Sequence, residues 1–568
     1  MTLKSIRSTV TSRAALALAA PRAFGVTSRA ARALATCALF ASFAFGNPHP
    51  RQSVDELVQT GRELLALGKA SEAQKLFERA AETDAHALRT EQWVIRSWLP
   101  QDRINDAFNA IDALARTNTG PELDYLYGMA FAANAQRHLK NGVNGQIIGM
   151  SFSDAVVYLQ KATAANPALY KDAFAPLAEA AWYEQKLDVA RAAGEKAVAL
   201  EPQNPDAAMT LGRIAISQYV SAKDDAAKAA EADVHWETAR ASFAKAAELF
   251  SARGDEPAQT ATAALQWGHT LAWKQKVDEA ARAYALAISA DPDVVDFGQV
   301  INVLAEPKDA FVKCVEEGAR LRKEKSTGET KGDATLSWWL GWGRFENAQY
   351  AEAIAALQTA VRLNPSFHNS WYYIAQAHYA QKDYAGAVDA FRQHFEASPE
   401  DLAASIAPNS DVDLAILDYL VAWCANNERT VEAGMLSDAQ TIVAPKVSRY
   451  WNNAGLFYRD AAERLMKSET AVDQKTSAEL IDKAYEAYSM ALELSPSDPS
   501  ILNDTAVMLH YYLKRDFERA REMYVKAREI AGAELAKTDL AEDVRRIYAI
   551  ALRDSKNNLA KLEREVAK

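Results

Sequence analysis

Residues 261–292, ATAALQWGHTLAWKQKVDEAARAYALAISADP, decide how this chain folds. Within them Trp267 and Gly268, Leu271, Ala280, Tyr284, Ala287 and Pro292 follow in an order that recurs elsewhere. Leu340 and Gly341, Ala353, Leu357, Ala360 and Pro365 repeat it, and so do Ile374 and Ala375, Ala387, Phe391 and Pro399. Earlier copies read Gly61, Leu64, Ala73, Phe77, Ala80, and Leu177 with Ala178, Ala181, Ala190, Ala197, Pro202. A small residue is followed 12 positions later by a second, and an aromatic or Leu stands four beyond that in most copies. Two small residues at that interval let antiparallel helices approach closely, and the large side chain fills the gap between them. A single pair cannot bury both of its faces, so neighbouring pairs must stack to complete a core. The Pro near the end of each unit stops the second helix and resets the chain direction.

The unit is about 34 residues long, and its small, small, aromatic, small and Pro positions resemble the tetratricopeptide repeat family. The resemblance runs from Val54 to about Ala531. It implies an all-α fold, a right-handed superhelical solenoid of antiparallel helix pairs, whose concave groove is lined by the first helix of each pair.

Three units depart from the regular interval. From Gly128 to Ala155 and from Gly212 to Ala239 it is 27 residues, and from Gly455 to Ala484 it is 29. The excess approximates two heptads, so one added to each helix would lengthen the pair and keep its facing register, giving hairpins that project from one rim. Lys223 to Lys228 reads as helix, whereas Asn141 to Gly145 reads as a loop. The expected organisation is a targeting segment over 1–46, a repeat and a repeat-like pair over 54–119, and units with two long inserts over 121–292. An irregular pair over 293–333, two regular units over 334–400 and a second irregular pair over 401–447 follow. Units with one insert over 448–535 and a capping helix over 536–568 complete it. The last unit places Met508 where a small residue is expected, ahead of Ala520, Tyr524 and Ala527.

Composition agrees with this outline. A chain of 568 residues exceeds what one compact core supports, while only 23 Gly and 18 Pro suit many short helices. The first 50 residues hold Lys4, Arg7, Arg13, Arg22, Arg29 and Arg32 and no acid, then an apolar run from Ala33 to Gly46. At 14 residues that run is shorter than the roughly 20 a membrane span needs. It reads as a cleavable secretory signal, which makes the protein exported, periplasmic or secreted; a mitochondrial presequence is the alternative. The leader carries six of the positive charges and the chain totals −11, so residues from Arg51 onward carry −17. Neutralising phosphates needs concentrated Lys and Arg, so nucleic acid is not an expected partner, and membrane contact is expected only if the leader stays attached. Cys314 and Cys424, the two thiols beyond the leader, make neither a disulfide framework nor a metal site.

No HExxH, GxxxxGK[ST], GxSxG or Rossmann glycine series is present, so neither catalysis, a cofactor nor a metal is expected. His378 and His394 fall on the two helices of one unit, which makes a shared site conceivable. The most specific local feature is aromatic. Trp338, Trp342 and Phe345 fall at i, i+4 and i+7 beside Trp339, and Tyr372, Gln376 and Tyr379 repeat that face in the next unit. By the family resemblance these six line the concave groove and would hold an extended peptide or helix, since rigid aromatics offer contact area at little entropic cost. The competing reading is that the rings fill a wide gap between pairs. Positions where relatives carry the Lys and Asn of a carboxylate clamp hold Trp338, Trp342, Tyr372 and Gln376 here, so a clamp is not supported. The expected function is a non-catalytic scaffold for a protein or peptide partner. A membrane-held envelope assembly or maturation factor and an accessory part of an enzyme complex are the alternatives.

Overall fold

The computed structural model describes residues 52–254, 256–304, 309–325, 328, 331–468 and 470–567. The proposed targeting segment over 1–46 lies outside them. Among the described residues there are helices and turns and no strand. Contacts divide the chain into two units, one reaching to Thr327 and the other running from Gly328 to the C-terminus.

The first unit contains α1 (Val54–Ala66), α2 (Ala70–Thr83), α3 (Leu88–Trp98), α4 (Ile104–Leu114), α5 (Pro121–Lys140), α6 (Gly145–Ala165) and α7 (Phe174–Tyr183). It continues with α8 (Leu187–Leu200), α9 (Pro205–Ala222), α10 (Ala229–Arg253), α11 (Pro257–Trp273), α12 (Val277–Ala290), α13 (Phe297–Val303) and α14 (Ala310–Lys325). The second begins with α15 (Lys331–Glu346), α16 (Tyr350–Leu363), α17 (Asn369–Ala380), α18 (Tyr384–Ala397), α19 (Pro399–Ile406) and α20 (Ser410–Asn426). It ends with α21 (Thr430–Val443), α22 (Ser448–Leu465), α23 (Ala471–Leu494), α24 (Pro499–Val507), α25 (Phe517–Leu535) and α26 (Glu542–Val566). Most consecutive helices pack pairwise within each unit; the short α13 is bypassed, and α12 packs on α14.

The interval seen in the sequence is a steric interlock. A Cβ built on Gly268 would stand 2.4 Å from the Tyr284 ring, one on Gly61 2.4 Å from Phe77, and one on Gly341 2.5 Å from Leu357. The long pairs keep the same contact: Gly128 meets Leu159, Gly212 meets Phe243 and Gly455 meets Tyr488, with Cβ approaches of 2.6 to 2.8 Å. Lengthening therefore leaves the register of the facing helices intact.

A common turn sets each regular pair. Seven residues beyond the small residue, Gly68, Gln185, Gln275, Ala348 and Lys382 all adopt a left-handed backbone, φ between 57° and 74°. The next amide then reaches back five residues, as Lys276 N does to Leu271 O and Asp383 N to His378 O. That closes the helix by the Schellman pattern and satisfies carbonyls that would otherwise be stranded.

The long pairs differ from expectation in where their length falls. The second helices α2, α8, α12, α16 and α18 are each 14 residues. Both helices of the first long pair are extended, to 20 and 21 residues, and the loop read at Asn141 to Gly145 shrinks to a tight turn. In the other two the second helix takes most of the addition: α10 has 25 residues against 18 in α9, and α23 has 24 against 18 in α22. Lys223 to Lys228, read from sequence as helix, is instead the turn between α9 and α10. Asp225 Oδ1 accepts the Ala227 N–H at 2.9 Å, and a short 3₁₀ turn leads into α10. Adjacent Asp side chains compete for backbone donors, which favours a cap over a helix interior.

Met508 marks the other departure. It is fully buried in the cluster that contains Tyr458 and Tyr488, and the helix widens into a π-turn over Met508–Leu513. The C-terminal α26 buries Leu559 and Leu562 against α24 and α25, while Glu542, Arg546, Lys556 and Glu563 stay exposed.

Candidate functional site

The aromatic stripe lies in the second unit, on α15 and α17. Trp338 is 6% exposed and Trp342 and Tyr372 are 7% exposed, so all three are interior residues of the folded chain. Phe345, Gln376 and Tyr379 are half-buried. The sequence-based placement of Trp338, Trp342 and Tyr372 along an open groove therefore does not describe where their surfaces are.

Each stripe residue with a described contact is engaged by a neighbour in its own unit. Trp338 Nε1 donates to Asn369 Oδ1 at 3.0 Å, and its ring stands edge-on to Trp339 at 4.7 Å and Tyr373 at 6.0 Å. Trp342 meets Trp339 at 5.7 Å, and Phe345 lies between Tyr350 and Tyr373. Tyr372 OH donates to Asp413 Oδ2 at 2.8 Å, and Gln376 Nε2 donates to Asp413 Oδ1 at 2.9 Å. Asp413 sits on α20 and is 4% exposed, so this carboxylate pins α17 to the irregular pair. Asp413→Ala is expected to destabilise the second unit by about 1–3 kcal/mol, because it removes the buried acceptor of the Tyr372 hydroxyl and the Gln376 amide. Thermal melting of the variant checks this.

Tyr379 leads to the part of the stripe that reaches solvent. Its ring lies 5.7 Å from Tyr384 and 5.9 Å from Tyr419; Tyr384 in turn lies 4.9 Å from Tyr419 and 6.4 Å from Trp423. Tyr419 is 45% exposed, and Tyr379, Tyr384 and Trp423 are half-buried. A hydrogen bond between the Tyr384 and Tyr419 hydroxyls raises the Tyr419 pKa above the ordinary phenol value. Four rings from α17, α18 and α20 thus form one patch beside the Lys382 turn. Tyr384, Tyr419 and Trp423 were not singled out from sequence. The signal available was the i, i+4 spacing of Tyr419 and Trp423, in a segment where the repeat pattern is absent and a register could not be assigned.

The other candidate groups stay apart. His378 Nδ1 is 2.8 Å from Asp383 and His394 Nε2 is 2.9 Å from Asp401, so the two imidazoles answer to different carboxylates. Burial pushes the Cys314 and Cys424 thiols up to about 12, which keeps them protonated and unreactive at neutral pH. Among the described residues no group of three or more His, Cys, Asp or Glu is placed to hold a metal. In the first unit an open depression of about 710 Å³ is lined by Trp267, Leu286 and four alanines together with Lys245, Glu248 and Ser251.

Residues 340–401 match a family model described as Tetratricopeptide repeat. No curated protein matches the chain. Among solved structures, the APC/C hetero-tetramer Cut9-Hcn1 is 13% identical, with 89% of this chain and 96% of that one covered and a TM-score of 0.26. The P58(IPK) TPR domain is 15% identical over 75% of this chain and 99% of that one, TM-score 0.18. A MamA RS-1 double mutant is 19% identical over 37% of this chain and 98% of that one, TM-score 0.19. With its Gly341–Leu357 interlock and its Lys382 turn, the stretch 340–401 is a tetratricopeptide-repeat segment, set in an all-α array of helix pairs built on the same interlock.

Proposed function

We propose that this chain is a non-catalytic scaffold that acts after export from the cytoplasm and holds a peptide or helix of a protein partner at the Tyr379, Tyr384, Tyr419 and Trp423 patch. The observation that supports this reading is four contacting rings, one of them 45% exposed, at the surface of a helical-repeat unit. Rigid aromatic side chains with a polar edge are the groups that anchor protein interfaces. Further contact area is available on the long pairs, where Met150, Val234 and Val472 are 63%, 65% and 74% exposed.

The test is to immobilise the chain without its leader, identify what it retains from its native extract, and measure the affinity of that partner. Tyr419→Ala with Trp423→Ala is expected to weaken binding tenfold or more, while each change alters stability by roughly 1 kcal/mol or less. Unchanged affinity in the double variant would remove the patch from the reading. Among the described residues no helix is long and apolar enough to cross a membrane, so a membrane-held form would depend on the Ala33 to Gly46 run being retained. The N-terminal residue of the mature protein distinguishes that form from a released one.

A further inference from the structure

Asp438 lies on α21, one helical turn after Gly434. A Cβ on Gly434 would come within 2.6 Å of the Tyr458 ring, so that ring, 1% exposed on α22, is wedged against this face of α21. The Tyr458 hydroxyl donates to Asp438 Oδ2. Lys483 on α23 stands 5.4 Å over the Tyr458 ring. Among the described residues no cation reaches ion-pair distance of Asp438.

The other charged groups around α21 are committed elsewhere. Asp389 of α18 pairs with Arg429 at 2.5 Å, and Glu432 pairs with Arg429 at 2.8 Å. Asp401 of α19 is taken by His394. Asp418 of α20 accepts from Gln440 Nε2 at 2.8 Å and pairs with Arg449 of α22 at 3.0 Å. Asp438 is thus a half-buried carboxylate at a helix seam, with one phenol donor and no paired cation.

We propose that the contact between α21 and α22 is a proton-sensitive seam, held most firmly when Asp438 is neutral, so that the long α22–α23 hairpin is attached more tightly in mild acid than at neutral pH. Burial raises the Asp438 pKa to about 6, while the Tyr458 hydrogen bond and the Lys483 charge oppose the rise. An unfolded Asp titrates near 3.9, so the folded seam takes up the proton first. The penalty of holding the ionised group is absent below pH ~4, grows through pH 4–6 and is complete above it.

Hydrogen exchange of the full chain between pH 5 and 7.5, corrected for intrinsic chemistry, reads this seam directly. Opening of the Thr430–Val443 and Ser448–Leu465 helices is expected to be roughly tenfold rarer at pH 5 than at pH 7, the ratio that a shift from 3.9 to about 6 produces. Asp438→Asn should abolish that dependence. Tyr458→Phe removes a donor that favours the ionised form, so its midpoint should move to higher pH, and this variant carries the test if the Asn form does not fold. Asp504, desolvated on α24, titrates in the adjoining packing, and subtracting the Asp438→Asn profile separates the two. A wild-type profile that is flat across this range, an Asn variant that retains the response, or an unmoved midpoint in Tyr458→Phe would overturn the proposal.

Discussion

Trp338→Ala is expected to cost the second unit about 3–5 kcal/mol, the range for truncating a buried tryptophan. The side chain is 6% exposed, packs edge-on to Trp339 and Tyr373, and donates to Asn369 across the seam between α15 and α17. Alanine leaves a cavity and an amide oxygen without its donor. A melting transition that falls by several degrees, together with faster exchange in the Asn369–Ala380 helix, would bear this out. A variant that melts like the wild type would mean that the indole is open to solvent and free for a partner, restoring the groove reading of the sequence. The contrast with Tyr419→Ala separates the two classes of ring: one holds pairs together, the other faces outward.

Gly268→Val should destabilise the first unit by about 3 kcal/mol, at the upper end of overpacking costs. The Cβ alone would sit 2.4 Å from Tyr284, a fully buried ring whose hydroxyl is 2.9 Å from His269 Nδ1. The ring cannot swing away without breaking that contact and the packing of α12 on α11. Valine is also stiff at χ1 in a helix, so it cannot evade the clash by rotation. If the interlock is the cause, Gly268→Val combined with Tyr284→Ala will be less destabilised than the sum of the two single changes. Additive losses in urea or thermal unfolding would place the cost elsewhere.

Both predictions rest on features that the chain discloses at different levels. The interlock is written in residue types: a small residue at Gly61, Gly268 or Gly341 and a large one 16 positions on can be read without coordinates, because a short tight turn leaves one facing register for two helices. The same reasoning carries through the long pairs, whose added turns change length and leave register alone. Where the added residues fall is less legible. Asp224 and Asp225 could have ended a helix or been carried on its surface, and the turn at Lys223 chose the former.

The aromatic stripe shows what amino-acid order cannot decide alone. The spacing of Trp338, Trp342 and Phe345, and of Tyr372, Gln376 and Tyr379, establishes that each set shares a helix face, since that follows from 3.6 residues per turn. It does not say what covers the face. Asn369 closes over Trp338, and Asp413, Tyr419 and Trp423 come from the 401–447 segment, where the repeat pattern lapses. Helical periodicity is local and therefore present in the sequence, whereas burial depends on which distant helix is laid against that face, and only the packed structure specifies that.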